Sequence, residues 1–169
     1  MGCFTGKYPI ECVKVMNKVA IAIEKSLKYW KRFKNREYEL EKFDYNFNMN
    51  YSICMSAANI NAKAIIAYTN TGNTSRTVSS FGPECPIFAL TENERTYRQL
   101  GLCWNIIPKL FPHQETIDKL VCLGINTLKQ ENFLQSEDTV VIAGGAKAVT
   151  DMCDCEAQIN SSMGGIVKI

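Results

Sequence analysis

The most constraining feature of this sequence is a regular alternation between short apolar runs and segments with helical periodicity. Three of the runs are continuously apolar: AIIAYT at residues 64–69, PIFALT at 86–91 and TVVIA at 139–143. Strands buried on both faces have this composition, whereas a strand with one solvated face alternates apolar and polar residues. The helical segments between the runs indicate parallel strands whose connections cover both faces of one sheet.

The same patterns predict where the elements lie. Helices are expected at 74–81, 92–102 and 115–132, a weaker strand at 105–110 and a last strand at 164–169. Thr91 and Glu94 have the spacing of a capping box for the second of these helices. The connection 144–162 has little helical signal, so the last strand is expected to be antiparallel. The sequence therefore predicts an α/β fold with three layers, αβα, around a five-stranded, mostly parallel sheet.

A helical arm is predicted ahead of this domain. Residues 9–42 are expected to form a helix, with Pro9 at its first position, and residues 43–51 a turn leading into a second helix. The arm carries one apolar stripe, made by Ile10, Val13, Met16, Ala20, Ile23 and Leu27. Residues 25–36 are strongly basic, which is typical of a solvated helix face and also of a phosphate-binding one. We divide the chain into an arm, 1–42, and a domain, 43–169.

The composition excludes several classes of protein. The chain has 169 residues, of which 46% are hydrophobic and 21% charged, and a net charge of +2. This charge is too small to indicate a nucleic-acid binder, and no run approaches the roughly 20 apolar residues that span a bilayer. We expect a cytoplasmic protein that binds neither nucleic acid nor membrane.

The eight cysteines are scattered and form no CxxC pair. Reduced thiols are therefore expected. Cys153 and Cys155 alone fall short of the four ligands of a zinc site, so no metal site is predicted.

The segment most suited to a ligand follows the first apolar run. A predicted strand leads into a polar segment and then a helix, and the candidate residues are Thr69, Asn70, Thr71, Gly72, Asn73, Thr74 and Ser75. Ligands of open α/β sheets bind at the carboxyl ends of strands, and a helix N-terminus offers N–H groups to an anion. The segment is a candidate phosphate cradle, although Thr, Asn and Gly are equally usual in a capped turn between strand and helix.

The remaining candidates have ordinary interpretations. His113 is the only histidine, and without a GxSxG nucleophile elbow it is interpreted as a surface residue. The acidic residues Asp151, Asp154 and Glu156 are interpreted as solubilising a loop. Gly144 and Gly145 follow a predicted strand, where they either approach a ligand or form a tight turn. We predict no catalytic residue.

Taken in order, these segments resemble the pyruvate kinase family. Residues 5–9 and 11–16 (TGKYP, ECVKVM) resemble the passage from the last strand to the last helix of its catalytic barrel. Residues 61–66 and 69–76 (NAKAII, TNTGNTSR) resemble the first strand and effector loop of its C-terminal domain. Further similar segments lie at 85–87, 90–100, 138–142 and 160–163, so the resemblance spans nearly the whole chain.

The resemblance implies a fold and a role. The implied fold is a five-stranded α/β domain joined to a (β/α)8 barrel, and the implied role is contact between subunits of a tetramer and binding of a phosphorylated effector. In the full enzyme, phosphoryl passes from phosphoenolpyruvate to ADP, giving pyruvate and ATP in glycolysis, on a barrel that also binds magnesium and potassium. Such a barrel needs about 250 residues, so this chain by itself is expected to be inactive and to need no cofactor.

Three positions depart from the family pattern. Asn73 stands where many members have a basic residue, and Leu120 aligns with an arginine that grips the effector's second phosphate. The residues from Lys147 to Gln158 replace a glycine-rich effector loop, so Gly144, Gly145 and Lys147 are candidates for a second effector contact. These departures leave room for one phosphate and weaken the case for a bisphosphate clamp.

Two other functions stay open at this point. The chain is alternatively a free-standing module that binds a phosphorylated metabolite, or an interaction protein whose basic segment 25–36 docks on nucleic acid or an acidic partner, which we rank last. With or without a longer protein around it, the apolar stripe of the arm needs a partner. We expect the arm to self-associate or to fold back onto the domain.

Overall fold

The computed structural model describes residues 8–35, 45–113, 117–143, 158–160 and 164–169. The six helices of this part are α1 (Pro9–Glu24), α2 (Tyr29–Lys34), α3 (Tyr45–Ile60), α4 (Asn73–Ser80), α5 (Glu94–Leu100) and α6 (Ile117–Gln130). The strands are β1 (Ala64–Tyr68), β2 (Ile87–Thr91), β3 (Ile106–Leu110), β4 (Thr139–Ala143), β5 (Gln158–Asn160) and β6 (Gly164–Lys168).

The strands form one sheet in the order β3-β2-β1-β4-β6-β5. β1 pairs in parallel with β2 and β4, and β2 with β3, while β6 runs antiparallel to β4. The predicted mostly parallel sheet with an antiparallel last strand is thereby confirmed. The structure adds β5, a strand of three residues that pairs antiparallel with β6 at the edge. β3 is the opposite edge, which accommodates Pro108 because an edge strand can lack one N–H donor.

Helices cover the sheet on both sides and bury it completely at its centre. One apolar cluster joins α3 and α4 to side chains such as Ile65, Ile87 and Val141. The other joins α6 to side chains on the opposite face, such as Ile66, Phe88 and Ile142. Strand residues 64–67, 87–91 and 140–143 are all buried, as the continuous apolar runs predict.

Gly124 allows α6 to approach the sheet closely. A Cβ built at this position would lie 2.5 Å from Cδ1 of Leu90 on β2. Since an interior packed to crystal density has little room for such an overlap, a side chain at this position would require Leu90 to move.

The arm is not the single helix that the sequence predicts for residues 9–42. α1 ends at Glu24, and a new helix, α2, begins at Tyr29. The break lets α2 bury Phe33, which is 2% exposed and packs against the rings of Tyr51 and Phe81 at 5.4 and 6.0 Å between centroids. Burial of an aromatic ring outweighs the local preference for continuing one helix. The domain boundary after residue 42 lies outside the described residues and stays a prediction.

The predicted turn at residues 43–51 is wrong where it can be compared. α3 begins at Tyr45 and includes the asparagine-rich segment. Phe47 and Tyr51 on its first turns contact Phe81 at 4.9 and 5.8 Å between ring centroids. These tertiary contacts override the weak helix propensity of asparagine.

The apolar face of α1 does not fold back onto the domain. None of the sixteen residues of α1 is buried, and Ile10, Val13, Met16 and Ile23 are 52–65% exposed. The stripe therefore exists, and within this single chain it faces solvent.

Two local predictions need correction. The capping box at Thr91 and Glu94 does not form; Asn93 caps α5, its side-chain oxygen accepting hydrogen bonds from the N–H groups of Arg95 and Thr96. Asparagine in this extended conformation is a good N-cap. The expectation of reduced thiols is met at Cys54, Cys85 and Cys103, which are free, but is wrong for Cys122, which is disulfide-bonded.

Over the part of the chain that the structure describes, no helix combines the length and the apolar character needed to traverse a bilayer.

Candidate functional site: the loop between β1 and α4

The candidate loop begins where β1 leaves the centre of the sheet. Thr69 continues the strand by one residue, its N–H donating to the carbonyl of Leu90 at 3.0 Å. Its side chain is 4% exposed, and its hydroxyl oxygen accepts a hydrogen bond from the N–H of Gly72 at 2.8 Å. Thr69 is therefore a structural residue of the loop, since its hydroxyl closes the turn instead of facing a ligand.

Gly72 is the N-cap of α4 and lies in the left-handed region, at φ 88°. Having no side chain, it makes no capping hydrogen bond. The first N–H groups of an α-helix lack intrahelical acceptors, so those of Asn73, Thr74 and Ser75 stay uncapped at the positive end of the helix dipole. This is the arrangement that suits an anion.

The polar side chains of the loop divide into exposed and buried ones. Asn70, Thr71 and Asn73 are exposed and Thr74 is half-buried. Ser75 is fully buried, and its hydroxyl has no hydrogen-bond partner among the described residues. The side chains open to a ligand are therefore those of 70, 71, 73 and 74.

A polar cleft of about 340 Å³ adjoins the loop. It lies between the first turns of α3 and α4, with Asn46 and Asn50 on one side and Asn73, Thr74 and Thr77 on the other. The sequence analysis missed Asn46 and Asn50 because it placed their segment in a turn. The repeated asparagines of residues 46–50 were the available signal.

A basic side chain, that of Arg76, contacts the loop. Its guanidinium donates from Nη1 to the carbonyl of Thr71 at 3.2 Å and from Nη2 to Oε1 of Gln99 at 2.9 Å. A cation thus lies against the loop even though Asn73 is neutral. Sequence reasoning did not single out Arg76, although its position one turn into a helix after the loop was the signal.

The second predicted contact cannot be compared with the first. Gly144, Gly145 and Lys147 lie outside the described residues, as do Asp151, Asp154 and Glu156. Leu120, at the position where the resemblance would call for an arginine, is 1% exposed and belongs to the core on the α6 side. It offers no charge to a second phosphate.

Three other titratable side chains of the described part of the chain, those of His113, Cys54 and Cys85, have no reactive role at the loop. Nδ1 of His113 lies 2.7 Å from Oε2 of Glu92, and the histidine is 84% exposed, in agreement with its interpretation as a surface residue. Burial, followed by the nearby Cys85, raises the pKa of Cys54, and burial raises the pKa of Cys85 to about 12. Both thiols stay protonated at neutral pH and are poor nucleophiles.

No group of three or more His, Cys, Asp or Glu side chains converges within the described ranges. Cys153 and Cys155 lie outside those ranges, so the absence of a metal site stays a prediction.

Replacing Gly72 by alanine should destabilise the protein by about 1–3 kcal/mol, because an L-residue is strained at this φ. The added Cβ would also lie 3.1 Å from Cζ of Arg76. Urea unfolding of Gly72→Ala measures the effect. Gly101→Ala is the matched control: its backbone is right-handed helical, at φ −62°, and the nearest atom to an added Cβ is 3.5 Å away. Equal changes in both variants would contradict the strained conformation at Gly72.

Residues 48–155 match the family described as the pyruvate kinase alpha/beta domain. The chain is 34% identical over 140 residues to a pyruvate kinase of Clostridium acetobutylicum, which covers 83% of this chain and 29% of that protein. It is 30% identical over 140 residues to a pyruvate kinase of Geobacillus stearothermophilus, covering 83% of this chain and 24% of that protein.

A solved structure agrees in fold. The crystal structure of a pyruvate kinase from Cryptosporidium parvum superposes with a TM-score of 0.70 at 24% identity, covering 83% of this chain and 29% of that one. The chain thus spans less than a third of the length of these relatives. With its family match, its sheet order and its loop between β1 and α4, the chain belongs to the pyruvate kinase family and corresponds to the α/β domain of those enzymes.

Proposed function

We propose that this chain is the regulatory and subunit-assembly domain of a cytoplasmic pyruvate kinase. We propose further that the loop of residues 69–75 binds one phosphate group of an effector through its backbone N–H groups and the side chains of residues 70, 71, 73 and 74. The observation that carries the effector site is the uncapped N-terminus of α4, which follows the left-handed Gly72 at the carboxyl end of a central parallel strand. Ligands of open α/β sheets bind at this end of the strands.

The surroundings of the loop favour a monophosphorylated ligand with further polar groups. The amide side chains of Asn46, Asn50 and Asn73 line the adjoining cleft, where they can exchange hydrogen bonds with hydroxyl groups. Because Leu120 is buried and apolar, the described residues supply no clamp for a second phosphate from α6.

An effector of this kind should protect the chain in a thermal melt. A ligand at ten times its Kd stabilises the folded state by about 1.4 kcal/mol, which raises Tm by about 3–6 °C for a chain of this size. Differential scanning fluorimetry with a sugar monophosphate should show this rise, and the unphosphorylated sugar should not.

Substituting Thr71→Ala together with Thr74→Ala should abolish the protection. Thr127→Ala is the control, because that hydroxyl lies on α6 and donates to the carbonyl of Leu123, away from the loop. Coincident melts of the parent chain with and without phosphorylated ligands would exclude the effector site. If the ligand protects the chain and the natural protein is found to have no barrel, the free-standing binding module is favoured.

We assign catalysis by the complete enzyme to a barrel that binds phosphoenolpyruvate, ADP, magnesium and potassium. We assign no binding site for these substrates and cations to the present domain. The purified chain should therefore produce no pyruvate from phosphoenolpyruvate and ADP in the presence of both cations. A coupled assay for pyruvate, with an intact pyruvate kinase as positive control, tests this. Turnover above the protein-free blank would contradict the assignment.

The assembly role rests on the exposed apolar face of α1. Val13 and Met16 are 56% and 63% exposed, and burial of such side chains stabilises a contact by about 1.5–3 kcal/mol each. In the complete enzyme we assign this face to the barrel and to like subunits.

The basic residues Lys31, Arg32 and Lys34 lie in the last turn of α2. Their positive charges interact favourably with the negative end of the helix dipole, so a nucleic-acid partner is not needed to explain them.

The isolated chain should self-associate through α1. Sedimentation velocity at rising protein concentration should show species larger than the 19.0 kDa chain, and Val13→Glu with Met16→Glu should restore the monomer. Ala22→Glu, on the opposite face of the same exposed helix, adds an acid outside the stripe and should leave the association unchanged. A parent chain that stays monomeric at every concentration would refute the assembly role of α1.

A further inference from the structure

Arg76 joins the loop to a different helix. Its planar guanidinium donates from Nη1 to the backbone carbonyl of Thr71 and from Nη2 to the side chain of Gln99 on α5. The loop and α5 are separated in sequence by more than twenty residues, so these two hydrogen bonds, the Arg76 tie, link elements that are not adjacent along the backbone.

We infer that Arg76 is a positioning residue, which fastens the loop 69–72 to α5 and holds it in its binding conformation before a ligand arrives. The inference rests on the proposed effector site and adds a residue that acts through the loop instead of on the phosphate. Both terminal nitrogens of Arg76 donate hydrogen bonds to the protein. We therefore assign Arg76 the role of holding the loop conformation, not of binding the phosphate.

The other side of the tie is rigid. α5 is capped by Asn93 and anchored by Leu100, which is fully buried. A second contact runs from the hydroxyl of Thr96, 5% exposed, to the carbonyl of Asn70 at 2.8 Å. The loop is thus held to α5 at two successive carbonyls, one through a buried hydroxyl and one through the solvent-accessible Arg76.

Only an arginine can make the tie in this form. The guanidinium presents donors in a fixed planar fork, whereas the ammonium of lysine is a single point on a flexible stem. The approach is also close: a Cβ at Gly72 would lie 3.1–3.2 Å from Cζ, Nη1 and Nη2 of Arg76. Gly72 therefore serves both the left-handed turn and the seat of the guanidinium.

The Arg76 tie should set the fraction of molecules in which the loop has its binding conformation. A solvent-accessible hydrogen bond contributes about 1 kcal/mol, so the loop is favoured only several-fold over its open forms. The apparent Kd of a ligand rises as the competent fraction falls. Loss of the tie should therefore raise the rate of amide exchange in the ligand-free loop and, in a separate measurement, weaken ligand binding.

The experiment compares Arg76→Lys, which keeps the positive charge, and Gln99→Leu, which keeps Arg76, with the parent chain. Amide hydrogen exchange at Gly72, whose N–H is bonded to Thr69, is followed by NMR without ligand. Both variants should raise this exchange rate about three- to ten-fold. Both should also raise the apparent Kd for inorganic phosphate by about two-fold, with Tm changed by no more than about 2 °C, because the tie lies at the surface.

Two control variants isolate the tie. Arg98→Lys changes a neighbouring arginine on α5 that pairs with Glu94 on the same helix and does not touch the loop. Gln130→Leu removes an exposed amide from the end of α6. Neither should alter the exchange of Gly72 or the phosphate affinity.

The outcomes separate the tie from the proposed function. Unchanged exchange of Gly72 in both Arg76→Lys and Gln99→Leu would overturn the inference, whether or not phosphate binds. Raised exchange with unchanged phosphate affinity would overturn the positioning role. If the parent chain binds no phosphate although both variants raise the exchange rate of Gly72, the proposed effector site is wrong. The Arg76 tie would then exist without a role in ligand binding.

Discussion

Burial of β1 at the centre of the sheet is the constraint on which the rest of this structure depends. With β2 on one side and β4 on the other, both parallel to it, β1 has no exposed edge and its residues 64–67 are fully buried. The chain can become polar only where β1 ends, at Thr69. The candidate loop therefore lies at the carboxyl edge of the sheet because the burial of β1 allows polar residues nowhere nearer.

The loop is shaped by neighbours on all sides. Thr69 closes it from within, Thr96 on α5 and Arg76 on α4 donate to two of its carbonyls, and α3 supplies the opposite wall of the cleft with Asn46 and Asn50. Because none of these contacts uses the N–H groups of residues 73–75, those groups at the start of α4 remain uncommitted. A loop preorganised in this way loses less conformational entropy when a ligand binds.

The two helices of the arm differ in how they relate to the domain. Phe33 anchors α2 to the domain through Tyr51 and Phe81, while α1 leaves its valines, isoleucines and methionine in solvent. The family match to residues 48–155 begins after both helices. Phe33 thus fixes the position of α2 against the domain, and the face of α1 is the surface that the proposed assembly role would cover.

The sequence by itself determined the α/β fold, the four parallel strands, the antiparallel last strand and the position of the candidate loop. Each follows from a local pattern: continuous apolar runs mark doubly buried strands, and a Thr/Asn/Gly segment marks the turn after one of them. Only the tertiary structure decided the break in the arm, the start of α3 at Tyr45, the cap at Asn93 and the attachment of Arg76. These depend on contacts such as Phe33 with Phe81 and Arg76 with Gln99, between residues that are distant in sequence and that no local pattern brings together.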